Sequence, residues 1–164
     1  GWFYTGDVGQ LDDDGFLSIT GRKKEILVTA SGKNVAPAQL EDQIRADGLV
    51  SQVMVVGDNQ KFVAAIITLD AETAPSWLKQ RQLDESMTMA DMSQHPAVRD
   101  YVQSLIDQAN ESVSRAESIR EFRVTDQDFT IESGQMTPSL KIRRETIMRD
   151  YSDLIDDIYQ PAAS

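Results

Sequence analysis

The stretch Thr20–Asn34, TGRKKEILVTASGKN, sets three cations, Arg22, Lys23 and Lys24, directly after a strand-like segment. A short apolar run from Ile26 to Val28 follows, then a small glycine-bearing loop, Ala30-Ser31-Gly32-Lys33. The chain has 164 residues and a net charge of −11, so a cationic triplet beside such a loop is out of character with the rest. Cations at the end of a strand suit an anion, and a glycine lets backbone approach a ligand closely. Taken alone, the stretch is more simply a solvated turn, because charged residues on turns are usually just exposed. A phosphate-loop reading of Ser31-Gly32-Lys33 fails: it needs Gly at position 27 and Ser or Thr at position 34, where Leu27 and Asn34 stand.

Length and composition narrow the remaining options. The chain is long enough for one domain, or one plus a fragment, and its 40% hydrophobic residues fit an ordinary globular core. It has no cysteine, which rules out disulfides and thiolate metal sites and fits a reducing cytosol. No apolar run approaches the ~18 residues of a membrane span. The acidic balance argues against nucleic acid, whose phosphates need a basic face. The chain opens at Gly1-Trp2 without a methionine and within fold-like sequence, so a piece of a longer polypeptide is expected. Against that acidic background, Arg22, Lys23, Lys24, Lys33, Lys141, Arg143 and Arg144 gather in two short windows.

Outward from the opening stretch, Trp2-Phe3-Tyr4 reads as a strand end leaving through Thr5-Gly6-Asp7. Asp7 is either a turn-stabilising residue or a carboxylate placed to accept from a sugar diol. Val8 to Thr20 reads as a hairpin around Asp12-Asp13-Asp14-Gly15; a calcium loop would want Glu at position 21, which is Gly21. A helix is expected over Pro37–Arg45, with Leu40 and Ile44 inward, Glu41, Asp42 and Arg45 outward, and Gly48 ending it. Val53–Val56 and Phe62–Leu69 read as an antiparallel strand pair. Ala71 to Gln82 reads as helical, and the methionine-rich segment Ser86–Met92 as gap-filling core of undecided structure. The strongest helical periodicity runs from Pro96 to Ala116, with His95 as its start residue rather than a metal ligand. A short strand over Phe122–Val124 follows, then a loop or weak strand turning at Ser133-Gly134, and the chain closes in one or two helices over Glu145–Tyr159. In Met136–Arg144, MTPSLKIRR, Lys141 stands between Leu140 and Ile142. An apolar setting would pack its stem and leave its ammonium reaching outward, either idle or delivered to a phosphate or carboxylate.

Three stretches thus occur in one order: GWFYTGD (Gly1–Asp7), ITGRKKEILVTASGKNV (Ile19–Val35) and MTPSLKIRR (Met136–Arg144). Together they resemble the closing motifs of the adenylate-forming enzymes, the superfamily of acyl-CoA synthetases, luciferases and peptide-synthetase adenylation domains. The RKKE loop with its glycine turn, and TPSLKIRR in place of a TxSGK-type ending, resemble the long-chain fatty acid–CoA ligase branch. The resemblance covers the whole chain but only the C-terminal part of such an enzyme. It implies an α+β lid domain: an initial β-hairpin, then a small central sheet packed with helices. Residues 1–23 would be the tail of the large N-terminal domain and 24–164 the lid.

By the same resemblance, Asp7 binds the ribose hydroxyls of ATP and AMP, and Arg22 reaches the ribose and phosphate region. Lys24 falls at the hinge. Ser31 and Gly32 lie on the loop that lines the CoA pantetheine tunnel, and Lys141 bridges substrate carboxylate and α-phosphate. Leu140 departs from the family, since many relatives carry glycine there. The implied reaction is ATP-dependent activation of a fatty acid to acyl-AMP, then thioester formation with CoA, with Mg2+ held by the N-terminal domain. The implied partners are the substrates and that domain, in a cytoplasmic setting with any membrane association peripheral; the lid alone would be inactive. Two alternatives carry the same fold: a fatty acyl-AMP ligase that loads a carrier protein, and a non-catalytic regulatory module.

Overall fold

The computed structural model describes residues 7–11, 13–22 and 25–160, with residues 7–10 and 18–22 described by backbone alone. Strand β1, Asp7–Leu11, turns back antiparallel onto β2, Leu17–Arg22, giving the expected hairpin. Gly15 makes the turn at φ +84°, a conformation open to glycine without steric cost. The segment expected at Trp2-Phe3-Tyr4, with Thr5-Gly6, lies outside the described residues. Two short strands, β3 (Leu27–Val28) and β4 (Asn34–Val35), then pair antiparallel around the loop of residues 29–33.

Helix α1, Pro37–Arg45, begins at a proline, whose missing N–H is no loss in a first turn. Its buried residues are Pro37, Leu40, Glu41 and Ile44, the i, i+3, i+4, i+7 stripe of an amphipathic helix. Glu41 therefore sits on the inner face, not the outer one expected of a charged residue. Nor does Gly48 end the helix: Ala46 closes it in the right-handed conformation, its N–H bonding the Asp42 carbonyl at 3.1 Å.

Strands β5, Val50–Val56, and β6, Val63–Leu69, form the expected antiparallel pair. Helix α2, Ala74–Gln80, carries its proline in the first turn. The undecided methionine-rich segment leads into α3, Met89–Gln94, started by a capping box in which Thr88 and Asp91 satisfy each other's backbone N–H groups. Met92 is fully buried, as expected of core filler. Helix α4, Pro96–Asn110, starts at His95, whose Nδ1 accepts the Ala97 N–H at 3.1 Å.

That helix stops at Asn110, short of the expected Ala116. The Asn110 side chain accepts the Ile119 N–H at 2.9 Å and donates to the Ile119 carbonyl at 3.0 Å. A polar side chain that serves another segment's backbone in this way favours a helix end over a helix interior. Strand β7, Ile119–Thr125, pairs parallel with β6, and α2 to α4 supply the long crossover that parallel neighbours require. The chain closes in two helices, α5 (Arg144–Asp150) and α6 (Ser152–Tyr159).

The result is the expected α+β architecture, a hairpin followed by a three-stranded sheet in the order β5-β6-β7 with helices against it. Every residue of β6 is buried because both faces of the sheet are covered. Val63, Ala65 and Ile67 join Leu40, Ile44, Val98 and Val102 on one face, and Ala64 and Ile66 join Ile147, Ile155 and Ile158 on the other. Thr68, the polar member of β6, donates to Asp128 at 2.5 Å and so buries no unmet hydroxyl.

Tyr159 anchors the second core: its hydroxyl donates to the Phe62 carbonyl at 3.0 Å and its ring lies 4.8 Å from that of Phe62. Burial pushes its phenol up to about 12 from an ordinary value of 10.0. The neutral form is thus favoured in the folded state, so this contribution to stability is complete below about pH 10 and is lost as pH rises through about 12. In an alkaline titration followed by phenolate absorbance, one tyrosine is expected to ionise near pH 12 and to vanish from the curve in Tyr159→Phe. A full set of phenols ionising together near 10 would contradict this placement.

Candidate functional site

Lys141 sits in a tight loop closed by an antiparallel bridge between Met136 and Ile142. Thr137 organises it. The Thr137 N–H donates to the Lys141 carbonyl at 2.8 Å, and its carbonyl accepts the Leu140 N–H at 2.9 Å. Its Oγ1 accepts the Lys141 N–H at 3.1 Å and lies 2.9 Å from Ser139 Oγ. So short a closure puts Leu140 at φ +62°, in the left-handed region. That region costs a residue bearing a Cβ ~1–2 kcal/mol, which is the physical reason for the glycine that the resemblance leads one to expect here. Leu140 is 64% exposed, so packing does not offset the cost. The expected apolar setting of Lys141 is therefore corrected: Lys141 is exposed, as is the leucine before it.

The far end of the loop is tied down by Arg144. Its Nη2 donates to Glu41 Oε1 and Oε2 at 2.5 and 2.6 Å, and its Nη1 donates to the Val55 carbonyl at 3.2 Å. Glu41 Oε1 in turn accepts the Val55 N–H at 2.9 Å. Burial lifts the Glu41 carboxyl above the usual carboxylate range, and the guanidinium facing it opposes that lift. One residue earlier, the Arg143 N–H donates to the Gln135 carbonyl at 2.7 Å, while Gln135 Nε2 donates to Asp150 at 3.0 Å. That amide bond, then Arg149, holds the Asp150 carboxyl below its ordinary value. An open cleft of about 680 Å3 lies alongside, lined by Glu25, Glu41, Arg45 and the run from Leu140 to Thr146.

Ser31 and Gly32 occupy the loop between β3 and β4. The Thr29 N–H donates to the Lys33 carbonyl at 3.0 Å, and Gly32 donates to the Thr29 carbonyl at 2.8 Å. Thr29 Oγ1 accepts the Lys33 N–H at 3.1 Å and lies 3.0 Å from Ser31 Oγ. Gly32 stands at φ +83°, and a Cβ there would meet nothing within 4 Å, so the backbone rather than the domain's own packing asks for glycine. The loop is clamped to the turn between β5 and β6. Ala30 donates to the Gln60 carbonyl at 2.9 Å, Asn59 to the Val28 carbonyl at 2.7 Å, and Val28 to Asp58 Oδ1 at 3.1 Å.

Asp7 and Arg22 are direct cross-strand partners in the β1–β2 hairpin, which brings those two candidate positions together. Lys24, the candidate hinge, lies outside the described residues. The cleft beside Lys141 is not lined by the Ser31-Gly32 loop, so the two loops are separate features of one domain. Among the described residues no cluster of histidines and carboxylates is placed to hold a metal ion. Sequence reasoning gave Glu41 and Arg144 no role. The signal for Glu41 was present, since it completes the inward stripe of α1; its partner 103 residues away left none.

Two substitutions test this geometry. Glu41→Ala leaves a guanidinium and the Val55 N–H without their acceptor. The expected loss is about 3 kcal/mol in urea unfolding, the low end for a buried pair because the Arg144 side chain keeps 23% of its exposure; a loss under about 1 kcal/mol would demote the pair to a surface contact. Leu140→Gly is expected to leave the domain as stable or to stabilise it by up to ~1 kcal/mol, because it removes left-handed strain and little packing. Clear destabilisation of that variant would show that Leu140 packs in the folded protein.

The chain is 47% identical, over 97% of its length, to the long-chain-fatty-acid–CoA ligase FadD15 of Mycobacterium tuberculosis, and covers 26% of that protein. It is 33% identical, over 98% of its length, to the long-chain-fatty-acid–CoA ligase ACSBG1 of Rattus norvegicus, covering 24% of it. The chain thus spans about a quarter of the length of these relatives. Among solved structures, the adenylation domain of a carboxylate reductase from Mycobacterium chelonae shares the fold, with a TM-score of 0.71 at 24% identity over 96% of this chain and 23% of that one. No helix among the described residues is long and apolar enough to cross a membrane. The family model for the AMP-binding enzyme C-terminal domain matches residues 24–163, and the chain belongs to that family.

Proposed function

We propose that the chain is the C-terminal lid of a long-chain fatty acid–CoA ligase, a cytoplasmic AMP-forming enzyme. The observation that carries this reading is the 47% identity to FadD15 across nearly the whole chain; the built loop that holds Lys141 supports the role that the motif resemblance implies for it. In the first half-reaction a fatty carboxylate oxygen attacks the α-phosphorus of ATP. The new P–O bond gives acyl-AMP, and pyrophosphate leaves with the electron pair of the broken one. Negative charge grows on the phosphoryl oxygens, where a fixed ammonium lowers the barrier. Lys141 supplies that ammonium: its backbone is locked by Thr137, while its side chain stays exposed and forms no ion pair among the described residues.

On this reading Asp7 and Arg22 hold the ribose from one end of the hairpin, and Lys24 is the hinge between residues 1–23 and the lid. The start of the matched family span at residue 24 supports that division. Ser31 and Gly32 face the CoA pantetheine after the lid rotates. The ligands of Mg2+ and the acyl pocket belong to the N-terminal domain, which is why the lid alone forms no acyl-CoA.

The test uses the full-length enzyme carrying Lys141→Ala. Fatty-acid-dependent pyrophosphate release is expected to fall by ~10²–10³, while thioester formation from supplied acyl-adenylate survives. Equal loss of both would make Lys141 a structural residue, and no loss of either would remove it from the site.

A further inference from the structure

Thr29–Lys33 and Thr137–Lys141, TASGK and TPSLK, are one loop built twice. In each, the threonine N–H donates to the lysine carbonyl, at 3.0 and 2.8 Å, and the fourth residue donates to the threonine carbonyl, at 2.8 and 2.9 Å. In each, the threonine Oγ1 accepts the lysine N–H at 3.1 Å. Both pair that oxygen with a serine Oγ, at 3.0 and 2.9 Å. The fourth residue is left-handed in both, at φ +83° and +62°. Antiparallel pairs close both, Val28 with Asn34 and Met136 with Ile142. Lys33 and Lys141 are both exposed, and neither forms an ion pair among the described residues. Lys61 and Lys79 also form no ion pair among the described residues, so what sets Lys33 and Lys141 apart is the loop geometry they share.

We propose that Lys33 contacts a phosphate in the second half-reaction, as the counterpart there of Lys141 in the first. The proposal rests on the lid reading above. In that step the CoA sulfur forms a bond to the acyl carbonyl carbon and the bond from that carbon to the adenylate oxygen breaks. AMP departs with the electron pair, and the thiol proton passes to solvent. Charge grows on the departing phosphate, and CoA brings phosphates of its own. Within the loop only Lys33 is charged, and two backbone bonds to Asn59 and Gln60, with a third from the Val28 N–H to the Asp58 carboxylate, hold its mount in place. A fixed mount with a free ammonium is suited to a phosphate that arrives only when the loop does.

The experiment uses full-length enzyme with Lys33→Met, which keeps the stem and removes the charge. Pyrophosphate release is expected to stay within about 2-fold of wild type, while thioester formation from supplied acyl-adenylate and CoA falls on the order of 10- to 100-fold, less than for an enclosed donor. Lys33→Arg is expected to recover part of it. Pantetheine as acceptor distinguishes the two phosphates: a deficit that disappears assigns Lys33 to CoA, and one that persists assigns it to the departing AMP. Unchanged thioester formation with CoA overturns the proposal, and so does an equal fall in both half-reactions. Lys141→Ala, run in parallel, reads the lid assignment separately: full pyrophosphate release in that variant overturns the lid reading and Lys33's role with it.

Discussion

A carboxylate withdrawn from water has to be met by charge and by hydrogen bonds, and Glu41 is met by both at once. The stripe of α1 can seat on the sheet only with Glu41 inside, because Glu41 lies between Leu40 and Ile44 on the buried face. Glu41 can be inside only where Arg144 and the Val55 N–H reach it. Arg144 reaches it only if α5 begins where it does, directly after the Lys141 loop. The docking of α1, the line of β5 and the position of that loop are therefore one condition. Replacing such a pair with apolar side chains of equal volume often costs nothing in stability, so its value here is placement. On the lid reading, Lys141 meets a phosphate, and for that its backbone has to be fixed relative to the rest of the domain.

The remainder of the domain supports two cationic mounts on one rigid body. Neither loop is stiff because of length or sequence alone. Each is stiff because a threonine side chain and backbone satisfy the loop's inward donors, leaving no slack in the closure. The two differ in what they pack on: one is held against the turn after β5, the other between Gln135 and Arg144. On the lid reading, rotation of the whole domain exchanges one mount for the other, and neither needs to deform. That is the economical arrangement for two half-reactions that share a nucleotide.

Local chemistry made much of this legible. Pro37, Pro96, His95 and the β5–β6 pair were readable because prolines, caps and alternating apolar runs act over a few residues. The end of α4 was not, because Asn110 is drawn out of helical service by Ile119, which stands nine residues further on and on another element. Glu41 was misassigned because its charge was weighed above its position in the stripe. The outward ammonium of Lys141 was expected, but the apolar setting was not found on both sides, because Leu140, held left-handed, is exposed and only Ile142 is half-buried. The likeness of TASGK and TPSLK is partly masked in the letters, because leucine stands where glycine would, yet both fourth residues are left-handed.

The Val55 contacts have one more consequence. In the order β5-β6-β7, β5 has a neighbour on one side only among the described residues, and a bare outer edge is a template on which another chain can lay a strand. At Val55, in the second half of β5, both backbone groups are already taken, the N–H by the Glu41 carboxylate and the carbonyl by the Arg144 guanidinium. Two side chains from α1 and α5 thus stand in for the missing strand. On the lid reading, a domain that parts repeatedly from its larger partner would gain from that arrangement, since each opening would leave this part of the sheet edge occupied and closed to strand exchange with neighbouring molecules.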